Sequence, residues 1–63
     1  MMLVDKLMAF EDGELSDNET IELFSELVKS GMAWQLQGFY GRFARDLIEQ
    51  GFLDKNGKIL KRV

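Results

Sequence analysis

The chain has 63 residues, 46% apolar and 30% charged, with a formal net charge of −3. That balance predicts one small folded domain, residues 1–63, rather than a disordered tail. The absence of Cys and His excludes disulfides, thiol chemistry, zinc sites built on those ligands, and Ser-His-Asp or Cys-His catalysis.

Leu3, Val4, Leu7, Met8 and Phe10 recur near helical spacing and predict a first helix over about residues 2–11. Asp12-Gly13 breaks it. Ser16 followed by Glu19 is a capping-box signature, in which the Ser hydroxyl accepts from the Glu19 amide and the Glu carboxylate accepts from the Ser16 amide. A second helix is therefore predicted over 17–29. Its apolar stripe is Ile21, Phe24, Leu27 and Val28, with Leu23 at the edge and Glu22 and Glu26 outside. Ser30-Gly31 ends it, with Met32 placed to fold back onto Leu27 as in a Schellman cap. Ala33–Gln37 reads as a short helical turn.

A third helix is predicted over 39–50. Tyr40, Phe43, Ala44, Leu47 and Ile48 stand at i, i+3, i+4, i+7 and i+8, and Gly51 with Phe52 closes the helix. The tail carries Asn56-Gly57, the preferred pair of a two-residue type I′ turn, and predicts a β-hairpin over about 52–61. That register sets Lys55 opposite Lys58 and Leu53 opposite Leu60. The expected fold is mainly α: a small bundle of three principal helices with a short C-terminal hairpin, compatible with a helix-turn-helix-like arrangement. The expected core is Leu3, Leu7, Leu15, Ile21, Phe24, Leu27, Val28, Trp34, Leu36, Tyr40, Phe43, Ala44, Leu47, Ile48, Phe52 and Leu60.

The stretch Gly13-Glu14-Leu15-Ser16, Glu19, Ile21, Leu23-Phe24, Leu27-Val28, Ser30-Gly31, Ala33-Trp34, Leu36-Gln37-Gly38, Tyr40-Gly41-Arg42, Ala44, Leu47-Ile48-Glu49 and Gly51 resembles a family of very small bacteriophage-encoded proteins. Its most distinctive run is Ala33-Trp34-Gln35-Leu36-Gln37-Gly38-Phe39-Tyr40-Gly41-Arg42. The likeness covers about residues 7–51 and leaves the tail outside. That family has no assigned function, so the resemblance implies a phage or prophage source. It carries over no catalytic or binding residue.

Charge is divided along the chain. Residues 1–28 hold eight acids (Asp5, Glu11, Asp12, Glu14, Asp17, Glu19, Glu22, Glu26) against Lys6, a net −7. Residues 29–63 hold seven bases (Lys29, Arg42, Arg45, Lys55, Lys58, Lys61, Arg62) against Asp46, Glu49 and Asp54, a net +4. The division fits either mutual neutralisation across the fold, with acids on a solvated helix face, or two interaction surfaces.

Function follows by elimination. Asp54-Lys55-Asn56-Gly57 looks like part of an EF-hand loop, but that frame puts Phe52 at position 1 and Val63 at position 12, and neither side chain can ligate calcium. A frame on Gly13 fails likewise at Met8 and Phe10. Nothing in the pattern sets a base beside Tyr40 or Ser25, and Gly38 and Gly41 lack the Gly-Lys-Ser/Thr ending of a phosphate loop. Neither enzyme activity, a cofactor nor a metal is expected.

Two readings remain. Trp34, Gln35, Gln37, Phe39, Tyr40 and Arg42 bring together the residue types most often found at protein-interface hot spots. They predict a partner-binding surface for a host or phage protein, with a homodimer as a further partner class. Trp34 and Tyr40 could equally be core, and Arg42 could pair with Asp46 at i+4. The alternative is a winged helix-turn-helix that binds nucleic acid. Gln35, Gln37, Arg42 and Arg45 would then reach bases or phosphates, and Lys55, Lys58, Lys61 and Arg62 the backbone. An overall acidic chain is an unusual footprint for that role. No apolar run approaches the ~20 residues of a membrane span, and no secretory signal opens the chain. The expected location is the bacterial host cytoplasm.

Overall fold

A computed structural model describes residues 3–36 and 38–63, apart from the side chains of Leu3 and Val4. Three α-helices and one 3-10 turn follow in order: α1 (Leu3–Glu11), α2 (Asp17–Ser30), the 3-10 turn Met32–Trp34, and α3 (Gly38–Glu49). The three helices start and stop within a residue of the expected bounds. Met2 lies outside the described residues.

The start of α2 is fixed locally. Ser16 Oγ accepts from the Glu19 amide at 3.2 Å, and Glu19 Oε1 accepts from the Ser16 amide at 2.9 Å. Two of the helix's orphan donors are thereby satisfied. Its end departs from the full Schellman pattern. Gly31 takes φ +80° and donates to the Val28 carbonyl at 3.1 Å. The second cap bond is relayed: the Met32 amide donates to Ser30 Oγ at 3.4 Å, and that hydroxyl donates to the Leu27 carbonyl at 3.2 Å.

The centre of the fold is α2, against which α1, the 3-10 turn and α3 all pack. Its buried residues are Ile21, Leu23, Phe24, Ser25, Leu27 and Val28, more than one stripe can supply. Leu23, assigned only to the stripe's edge, is fully buried because the helix is covered on several sides. Phe10, Phe24 and Phe43 form the aromatic centre, with the Phe24 and Phe43 rings stacked at 4.6 Å and Phe10 edge-on to both. The radius of gyration, 10.5 Å, matches the roughly 10.6 Å of a compact chain of this length.

The core differs from expectation at both ends of the list. Trp34 and Leu60 are exposed, at 53% and 55%, while Ala33 and Leu53 are buried. In the 3-10 turn the tighter winding points Ala33 inward and leaves its neighbour outside. Leu7, Leu15, Leu36, Phe43, Leu47, Ile48 and Phe52 are half-buried against the core. The placement of Leu3 in the core lies outside the described side chains.

The predicted C-terminal hairpin does not form as β-structure. No strand occurs among the described residues, and the tail holds a single antiparallel bridge, Leu53 to Ile59. A type I′ turn needs positive φ at both central residues, and no non-glycine residue has it here. Instead the Gly57 amide donates to the Asp54 carbonyl at 3.0 Å, Gly57 takes φ +90°, and the Asp54 amide donates to the Lys58 carbonyl at 2.9 Å. The loop is thus one residue longer than predicted. Leu53 meets Ile59 rather than Leu60, and Leu60 turns to solvent.

Candidate functional site

The sequence-predicted partner residues gather where the 3-10 turn meets the first turn of α3. Helical periodicity turns Tyr40 and Ala44 toward α2 and puts Gly38, Phe39, Arg42, Arg45, Asp46 and Glu49 outside. Tyr40 is 6% exposed and belongs to the core. Its hydroxyl donates to Glu11 Oε2 at 2.6 Å, tying α3 to the end of α1. Burial first, then the Glu11 bond and charge, push the phenol up to about 12. Tyr40 is therefore a positioning residue behind the surface.

The surface itself is made by Trp34, Phe39 and Arg42. Trp34 lies against Gly41, where a Cβ would meet the indole Cε3 at 3.6 Å and the Ala33 carbonyl oxygen at 3.4 Å. Phe39, 47% exposed, stacks on Phe10 at 5.8 Å and meets Tyr40 edge-on at 5.4 Å. On the α3 wheel Gly41 and Phe39 flank the outer face, with Gly38 and Arg42 between them. A Cβ at Gly38 would meet nothing within 4 Å. Arg42 is exposed, and no bond to Asp46 occurs among the described residues; the i+4 ion pair on this helix is Arg45 with Glu49, at 3.1 Å. Gln35 is exposed beside Trp34. Gln37 lies outside the described residues.

The residues singled out for nucleic acid are dispersed in their engagements. Arg45 pairs with Glu49, Arg62 pairs with Glu22 at 3.1 Å, and the Lys61 ammonium sits 4.7 Å from the centre of the Phe52 ring. Lys55 and Lys58 are exposed on the terminal turn. Of the three ion pairs among the described residues, only Arg62–Glu22 joins the acidic and basic halves. Neutralisation across the fold is slight.

A groove of about 320 Å³ lies between α1 and α2, with no counterpart in the sequence pattern. Ala9 and Leu15 supply its apolar lining, and Lys6, Glu14, Glu19 and Glu22 its charged lining. Lys6 is neutralised by Glu26 at 3.1 Å. Glu19 is held below the usual carboxylate range, chiefly by the Ser16 amide and then by the Ser16 hydroxyl. The groove arises from how two helices cross, so no local motif encodes it.

Of the two candidate nucleophiles, Tyr40 has the Glu11 carboxylate beside it but is buried in the core. Ser25 is buried and donates to the Gly57 carbonyl, and the Tyr40 phenol is held neutral. Among the described residues no group of three or more carboxylates is arranged to hold a metal ion, and no helix is long and apolar enough to cross a membrane.

The model of a family described as a domain of unknown function (DUF7417) matches residues 1–63. No curated protein and no solved structure matches the chain.

Proposed function

We propose, for a chain that belongs to the DUF7417 family, a non-enzymatic role as a phage accessory protein that occupies a surface on a host or phage protein in the bacterial cytoplasm. The observation that carries this reading is the pair of half-exposed aromatic rings, Trp34 and Phe39, flanking Arg42 on one helix end. Large rings cost little conformational entropy to immobilise, and a guanidinium between them adds directional donors. Both rings are backed by fixed structure, Trp34 by Gly41 and Phe39 by Phe10. Such anchors are pre-organised and lose little freedom on binding.

The test is capture from host lysate by the tagged protein, with and without nuclease, read by mass spectrometry. The wild type is expected to retain a stoichiometric protein after nuclease treatment. Trp34→Ala and Phe39→Ala, checked for retained helicity, are expected to lose it. Capture that vanishes with nuclease, or that both variants retain, would overturn the reading. The first outcome would favour the nucleic-acid alternative.

A further inference from the structure

We propose that the protein associates with itself head to tail, the Trp34–Phe39–Arg42 face of one copy docking on the α1–α2 groove of the next. The inference rests on reading that face as a binding surface and names its partner as a second copy of this chain. Charge complementarity carries it. The groove is lined by Glu14, Glu19 and Glu22 against Lys6, and the docking face presents the exposed cation Arg42 between its two rings. The chemistry matches in detail: an apolar lining of Ala9 and Leu15 suits an aromatic ring, and the neighbouring carboxylates suit a guanidinium.

Glu22, one of the groove's lining carboxylates, already accepts a guanidinium bond from Arg62 of the same chain. Glu14 has no ion pair among the described residues and is the carboxylate available to Arg42. The two surfaces share no residue. They lie on opposite edges of α1: Ala9 lines the groove, whereas Glu11, two residues and about 200° around the helix, faces Tyr40. One copy can therefore use both surfaces at once, which makes the contact heterologous and leads to rings or open chains.

Complementation tests this. One variant carries Trp34→Ala and Arg42→Glu, removing the docking face. The other carries Glu14→Lys and Glu22→Lys, removing the groove charge but leaving Glu19 to cap α2. Circular dichroism establishes that both fold. In sedimentation velocity from micromolar to millimolar protein, the wild type is expected to grow past dimer, and each variant to remain monomeric. Their equimolar mixture has one intact face and one intact groove, so it should yield a dimer and nothing larger. A wild type that stays monomeric overturns the proposal. So does a mixture that fails to pair, or a wild type that stops at a dimer which the groove variant leaves intact. If self-association fails while Trp34→Ala still abolishes lysate capture, the binding face stands with a different partner. If Trp34→Ala affects neither, both readings fall.

Discussion

A Cβ built on Gly57 would lie 2.7 Å from the Ser25 carbonyl oxygen and 2.8 Å from Lys29 Cγ, at a φ of +90°. Left-handed strain of ~1–2 kcal/mol adds to a backbone clash, so Gly57→Ala is expected to cost about 2–4 kcal/mol. Thermal denaturation should show a midpoint lower by roughly 10 °C or more. Gly38→Ala is the contrast: its Cβ meets nothing and its backbone is helical, so a gain of up to about 0.5 kcal/mol is expected. Equal midpoints for the two variants would refute the packing role of Gly57. Two carboxylates give the stability a pH dependence of definite sign. Glu19 is lowered by the Ser16 amide and hydroxyl, and Asp54 by the Lys58 amide and then that of Asn56. A group whose native pKa is depressed stabilises the fold above its unfolded value and ceases to do so as pH falls through the native value. Stability should therefore decline on acidification below the ordinary carboxylate range of about 4. Glu19→Gln with Asp54→Asn keeps acceptors in place and should flatten that decline in pH-dependent urea denaturation. An unchanged acid limb would show that neither group is linked to folding.

The C-terminal turn is held to α2 by one buried polar bond, from Ser25 Oγ to the Gly57 carbonyl, and by the apolar anchor Leu53. Beyond it, Asn18 exchanges two bonds with the Val63 backbone, at 2.9 and 3.2 Å. These attachments join residues far apart in sequence, which explains why the tail was the least legible element. Asn56-Gly57 is a sound hairpin signal taken alone, but docking against Ser25 and Lys29 selects a turn that brings Gly57 flush to the helix. A hydroxyl inside an amphipathic helix likewise carries no mark of a partner 32 residues away. The helices were legible for the opposite reason. Ser16 and Glu19 encode their own bonds, and the α3 stripe is complete within twelve residues. Ser25→Ala would leave the Gly57 carbonyl buried without its donor, at an expected cost of about 1–3 kcal/mol. Amide exchange should report where that cost falls: protection at Asp54 and Leu60, both bonded across the turn, should drop more than protection within α2. A uniform loss across the protein would mean the turn is not a separable unit.

At the scale of the whole molecule, the sequence shows how charge is distributed more readily than which apolar side chains reach solvent. The division into acidic and basic halves is read by counting. Which aromatic side chains reach solvent depends on the 3-10 turn and on how α1 meets α3, so Trp34 and Tyr40 exchange the roles that either could have taken. The same distribution bears on nucleic acid. Arg45 and Arg62 already face carboxylates, and Lys61 lies over Phe52, leaving Arg42, Lys55 and Lys58 as those of the six with no such engagement among the described residues. A protein neutralising Z phosphates loses affinity with a log–log salt slope of about −0.9Z. Three contacts would thus give a slope of roughly −3, against the field of the acidic half. Fluorescence anisotropy with a labelled DNA duplex is therefore expected to show no binding at physiological salt and at most a weak signal at low salt. Lys55→Glu, Lys58→Glu and Lys61→Glu together should leave lysate capture unchanged, because none belongs to the Trp34–Phe39–Arg42 face. Tight duplex binding with a steeper slope, abolished by the triple reversal, would instead make the basic tail the working surface and the exposed aromatics incidental to it.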